Sequence, residues 1–176
     1  WASYLIGMWL ASQRAGSGSM IADYGVTFRW IDLVGLAIGA GSQLVGIRVV
    51  YLPLEALWPD TFTQDRLTEN AQDLVDRAGG ASTLLLVLVV VIGAPVVEEL
   101  FYRGLLQRSL AARFNEGAVV VGVAAIFAMA HFRPIEFPGL FVFGLILGFA
   151  ALRARRLGPA ITIHIGFNLT GLLLVL

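Results

Sequence analysis

"STLLLVLVVVIGAPVVEELFYRGLLQR", residues 82–108, decides how this chain is read. Its first half is apolar enough for lipid, yet Glu98, Glu99 and Arg103 then fall within six residues of one another. An ionised side chain at mid-bilayer costs at least a few kcal/mol, so such residues face a bundle interior and mark function. The composition agrees with a lipid setting. Of 176 residues, 58% are hydrophobic and 14% charged, with mean hydropathy +0.82, whereas soluble domains carry about 25% charged residues. The chain therefore reads as an integral membrane protein. It has no Cys, which excludes disulfides and thiolate zinc sites. Net charge is zero and no long basic run occurs, which excludes nucleic acid as a partner.

A bilayer core takes about 20 apolar residues of helix. On that template five fuller hydrophobic segments follow a shorter first one, at about 30–54, 81–107, 117–131, 138–152 and 157–176. The third and fourth are short, as suits helices packed inside a bundle. The first stretch, "WASYLIGMWLAS" (1–12), has no basic n-region or cleavage site, so it reads as a membrane helix clipped at its N-terminus, not a signal peptide. The expected fold is all-α: one polytopic bundle over 1–176 with about six membrane helices, the first truncated, and a motif-bearing core at about 81–176. Within 55–80, six acidic residues face Arg66 and Arg77, and Leu67, Ala71, Leu74, Val75 and Ala78 recur at helical spacing before Gly79–Gly80. This predicts an amphipathic helix at the membrane surface, with a solvated loop as the alternative. Arg-bearing loops at 13–29, 108–116 and 153–156 alternate with the acidic 55–80 and near-neutral 132–137 loops. By the positive-inside rule the basic loops are cytoplasmic.

Glu98 lies about ten residues, or roughly 15 Å, from the basic end of its helix. Glu99 and Arg103 are spaced i, i+4 and share a face, which predicts an intrahelical pair. Glu98 is rotated about 100° away and is left free. The competing reading is a solvated helix end. Both histidines of the chain, His131 and His164, fall in hydrophobic segments. Phe127 stands one turn before His131, and Asn168 one turn after His164. Convergence of these polar faces on one cavity suits hydrolysis: a carboxylate and an imidazole take a proton from water, and a second imidazole with a carboxamide donates to an oxyanion. Glu98, His131 and His164 could equally form a two-His, one-carboxylate site for a divalent metal such as zinc. No H-E-x-x-H occurs, so the usual zinc-protease signature lends no support.

The order E-E-x-x-x-R (Glu98, Glu99, Arg103), F-x-x-x-H (Phe127, His131), H-x-x-x-N (His164, Asn168) resembles the CPBP, or Abi, family of intramembrane proteases, which includes CAAX prenyl endopeptidases and bacteriocin-processing or self-immunity proteins. The motifs span 98–168, and the hydrophobic pattern extends the likeness to about 81–176. The resemblance implies that Glu98 activates water with His131, and that His164 and Asn168 stabilise the oxyanion, with His164 a metal ligand under the metalloprotease reading. Glu99, Arg103 and Phe127 support the site, Glu99 being also treated as part of it. It implies an integral protein of a bacterial plasma membrane acting on a peptide or lipidated protein. A metal-free glutamate mechanism is favoured over a metal. Two readings compete: a non-catalytic immunity or scaffold protein, and a proton-coupled transporter, which the small size and lack of a repeated half disfavour.

Overall fold

The computed structural model describes residues 1–77 and 81–176. Ala78 and the expected helix stop at Gly79–Gly80 lie outside them. Among the described residues every regular element is helical. They are α1 (Ala2–Ala15), α2 (Met20–Tyr24), α3 (Trp30–Leu57), α4 (Gln64–Arg77), α5 with its apolar span Leu84–Ala111, α6 (Glu116–Met129), α7 (Phe137–Ala154) and α8 (Gly158–Leu173). Local chemistry sets several boundaries. Ser19 and Asn115 cap α2 and α6 by accepting from Ala22 N and Ala118 N, which satisfies orphan N–H donors. Pro138 and Pro159 sit in the first turns of α7 and α8, where a missing N–H costs nothing.

Among the described residues α3, α5 and α7 have both the length and the apolarity to cross a membrane, three where about six were expected. The reason lies in α6 and α8. At 14 and 16 residues they are shorter than a bilayer core, and they are the best-buried helices: Val120, Val123, Phe127, Ala160 and Ile161 are at most 1% exposed. They fill the bundle, while α3 turns Trp30, Ile31, Val34, Val45 and Val49 outward. Large exposed apolar residues along a helix of spanning length are what lipid contact requires. α4 forms where the amphipathic helix is expected. Leu67 and Val75 are half-buried, while Asp65, Arg66, Glu69, Asp73 and Asp76 are exposed.

The loops segregate as their charges suggest. At one end, Arg108 donates to Asp23 O (3.1 Å) and Arg155 O (2.7 Å), Arg155 pairs with Glu116 (2.8 Å), and Leu157 N donates to Gly25 O (2.9 Å). Beside them Ser12 and Ser17 hydrogen-bond the Asp23 carboxylate and hold it below its usual range. At the other end Tyr51 donates to Ile135 O (2.8 Å), and Arg133 pairs with Glu136 (2.8 Å) and approaches Glu69 (3.9 Å). Burial there raises the Glu136 carboxyl, against the opposing pull of Arg133. The three basic loops thus share one end, and the segments 55–77 and 132–137 the other.

α3 and α8 touch almost backbone to backbone. A Cβ on Gly39 would collide with Ile163 O and Phe167 N, and one on Gly166 with the Leu36 backbone. Small residues permit this approach where no hydrophobic effect drives helices together. Asp32 locks the same junction: its carboxylate pairs with both Arg156 Nη atoms and accepts from Arg29 N (2.8 Å), and its carbonyl accepts from Thr162 Oγ1 (2.6 Å). Gly39→Ala should therefore lower stability by about 3 kcal/mol or more. Gly41→Ala, where a Cβ meets nothing within 4 Å, should stay within about 1 kcal/mol of wild type. Thermal unfolding in detergent would separate them, and equal midpoints for the two variants would refute the close packing.

Candidate active site

The site is built on an interrupted helix. α5 contains two π-helical stretches, Leu88–Gly93 and Leu100–Gln107, around the α-helical turn Ala94–Glu99 that bears both glutamates. Pro95 accounts for the first. Ala94 N donates to Val89 O, five residues back, and Pro95, the next residue able to serve Val90 O in that register, has no N–H. The Val90 carbonyl is thus left without a helical partner. Asn168 Nδ2 on α8 fills the gap at 2.9 Å. The break in hydrogen-bond register at Pro95 therefore brings with it a specific interhelical bond.

One turn on, Glu99 and Arg103 form the expected pair: Arg103 Nη1 donates to Glu99 Oε1 at 2.8 Å, and both side chains are fully buried. The spacing suggested the pair but not its surroundings. Arg103 Nη2 donates to Gly144 O on α7 (3.0 Å), and its guanidinium lies 4.7 Å from the Phe127 ring centroid. His164 Nδ1 donates to the same Glu99 Oε1 at 2.8 Å. This anchors the ring at Nδ1 and leaves Nε2 4.0 Å from Glu98 Oε2. Glu98 is the open member of the set, its side chain 18% exposed. The sequence-based division into a paired and a free carboxylate is the division the structure displays.

His131 lies just beyond the end of α6 and is half-buried. Its Nδ1 donates to Phe127 O at 2.8 Å, and its ring stands edge-on to Phe127, centroids 4.8 Å apart. It stands within electrostatic reach of Glu98. Phe127 also meets His164 edge-on at 5.9 Å and Tyr102 at 5.3 Å, so one ring orients both imidazoles. Six of the seven motif residues thus surround one centre. Asn168, the seventh, spends one Nδ2 hydrogen on Val90 O. Two contributors were not read from the sequence. Phe143 packs edge-on against His164 at 5.3 Å. The carbonyls of Gly144 and Gly148 receive Arg103 and Gln107, the latter at 3.0 Å. The signal in the sequence is the matching i, i+4 spacing of Arg103/Gln107 and Gly144/Gly148.

Among the described residues no group of three His, Cys, Asp or Glu side chains is gathered closely enough to hold a metal ion. Glu98, His131 and His164 as placed do not fit a two-His, one-carboxylate cage.

A family model described as type II CAAX prenyl endopeptidase Rce1-like matches residues 80–170, the segment that carries all these groups. The chain belongs to that family. It is a protease family of membrane proteins, in keeping with the apolar helices, and its match covers more than half of the chain. No curated protein and no solved structure matches the chain.

The buried pair gives the site a measurable dependence. Arg103→Met strands the Glu99 carboxylate and should cost about 3–5 kcal/mol of stability. Glu99→Gln combined with Arg103→Met should recover a large part of that loss. A double-mutant cycle on unfolding in detergent measures the coupling, and a value near zero would show that the pair contributes nothing.

Proposed function

We propose that the protein is an intramembrane endopeptidase of the CAAX-processing type that hydrolyses a peptide bond without a metal, Glu98 being the general base. The observation that carries the proposal is the open Glu98 carboxylate facing His164 Nε2 at 4.0 Å, while Nδ1 of the same ring is tied to buried Glu99. A gap of that size between two polar groups suits one bridging water or one reacting carbonyl oxygen.

In the reaction His164 donates from both ring nitrogens, Nδ1 to Glu99 and Nε2 into the gap. Water attacks the scissile carbonyl carbon as Glu98 takes its proton. The oxyanion that forms is held by His164 Nε2–H and by the second Nδ2 hydrogen of Asn168, since an amide nitrogen carries two. Collapse breaks the C–N bond, and the proton on Glu98 passes to the departing amine. His131, within electrostatic reach of Glu98, assists its proton transfers. Glu99 plays the part an aspartate plays beside a catalytic histidine: it holds the ring in orientation and stabilises its protonated form. The substrate is a peptide or lipidated protein segment drawn from the bilayer. The arginine-bearing end of the bundle lies in the cytoplasm, in a bacterial plasma membrane.

Purified protein in detergent, offered one quenched CAAX-type peptide with and without its prenyl group, tests this. Glu98→Gln should reduce kcat/KM by about 10²–10⁴-fold, the range for a positioned acid–base group, and His164→Gln should do likewise, while chelation leaves wild type unaffected. Loss of activity on chelation with metal bound one to one would replace the mechanism by a metal-dependent one. Wild type that cleaves neither peptide would favour the scaffold reading.

A further inference from the structure

Glu99, Arg103 and Gln107 stand at i, i+4 and i+8 on one face of α5, over about 12 Å of helix axis. All three are at most 4% exposed. Each keeps one atom for which the described protein offers no hydrogen-bond partner: Glu99 Oε2, Arg103 Nε and Gln107 Oε1. Buried polar atoms are almost always satisfied, by protein or by water. Three orphans in a row on one face call for a shared explanation.

A cavity of about 300 Å³ supplies one. Arg103 and Gln107 line it, together with Ala111 and Ala151 on its walls and Arg108 and Arg155 at the arginine-bearing end. An anion is a poor occupant, because the cations are already engaged: Arg108 with two carbonyls, Arg155 with Glu116, Arg156 with Asp32. Two of its lining side chains carry the unpartnered atoms, a donor in Arg103 Nε and an acceptor in Gln107 Oε1, both buried just behind the surface of the cavity. A molecule that both donates and accepts fits that pair, and at roughly 30 Å³ per molecule the space holds several waters.

We infer that this cavity is the water inlet of the site: a hydrated path that enters at the arginine-bearing end and runs along the Gln107–Arg103–Glu99 face to the catalytic carboxylates. The inference rests on the hydrolase reading above, because water is the co-substrate of that reaction. Water at Gln107 donates to Oε1, water at Arg103 accepts from Nε–H, and the last position lies beside Glu99 Oε2. The ladder from Arg103 and Gln107 to Gly144 O and Gly148 O holds this face open by fixing α5 on α7. A Cβ on Gly148 would press on Val120 and on Gln107 Oε1 itself.

The absence of native Cys makes a direct test available. Ala151→Cys places a thiol on the cavity wall, where the residue is 8% exposed; Ala160→Cys places one at a site 0% exposed that does not border the cavity. Both are made in the full chain in detergent and treated with a small, water-soluble cationic methanethiosulfonate. The Ala151 thiol should react at least tenfold faster than the Ala160 thiol. Its modification should lower cleavage of the CAAX-type peptide at least tenfold, with recovery on adding dithiothreitol. Equal slow labelling of the two positions would overturn the inlet, and so would fast labelling that leaves cleavage intact. Labelling rates are read without any substrate, so an absence of cleavage in the unmodified protein would count against the protease reading alone. In that event the labelling ratio still decides whether the cavity is hydrated.

Discussion

A carboxylate and a guanidinium with no exposed surface, 2.8 Å apart on one helix, are the constraint to which the rest of the bundle answers. Removing two ions from water costs several kcal/mol each, and their attraction offsets this only if the remaining lone pairs and protons are also met. Here the partners come from other helices: α7 lends the Gly144 carbonyl and α8 lends His164, both of which can approach because the neighbouring positions are small. Replace Gly144 by a larger residue and α7 meets Ala124 of α6. Close packing and ion-pair satisfaction are therefore one requirement.

The same logic explains why the helix bearing the chemistry is irregular. An unbroken α5 would satisfy all its own carbonyls and leave α8 no backbone group to bind. Pro95 removes one donor, the π-helical register moves another, and the Val90 carbonyl becomes available to Asn168. π-helical turns concentrate at functional sites. Here the two such stretches bracket the turn that presents Glu98 and Glu99, so the disturbed backbone flanks the two carboxylates while the turn itself stays α-helical.

Much of this was legible in advance, and the limits are physical. Helical fold class, the amphipathic α4, the Glu99–Arg103 pair and the free Glu98 follow from composition and periodicity, which are local properties. The number of spanning helices does not, because an apolar segment of 14 residues reads alike whether it faces lipid or fills a core. Only tertiary contact tells that α6 buries Val120, Val123 and Phe127 in the bundle and leaves Val121, Ile126 and Met129 exposed. The pairing of His164 with Glu99 joins residues 65 positions apart. No spacing rule reaches that far, nor does one tell that Asn168, on the same helix face as His164, clasps the Val90 carbonyl of α5. Arg156 shows a further limit. In the sequence it is one more positive charge in a loop, but in the fold it meets Asp32 and fixes the α3–α8 junction.

Two adjacent glutamates are an economical way to enclose one carboxylate and leave a second one open. On a helix, neighbours diverge by about 100°, so Glu99 can be enclosed among Arg103, His164 and Phe127 while Glu98 keeps a partly open face. An enclosed carboxylate has its charge committed and holds geometry; an open one can change partners and carry a proton. His164 touches both worlds through its two nitrogens, bonded at 2.8 Å on the enclosed side and 4.0 Å from a carboxylate on the open side. A single Glu could not fill both places. That is the physical sense of a doubled carboxylate in a segment otherwise composed for lipid.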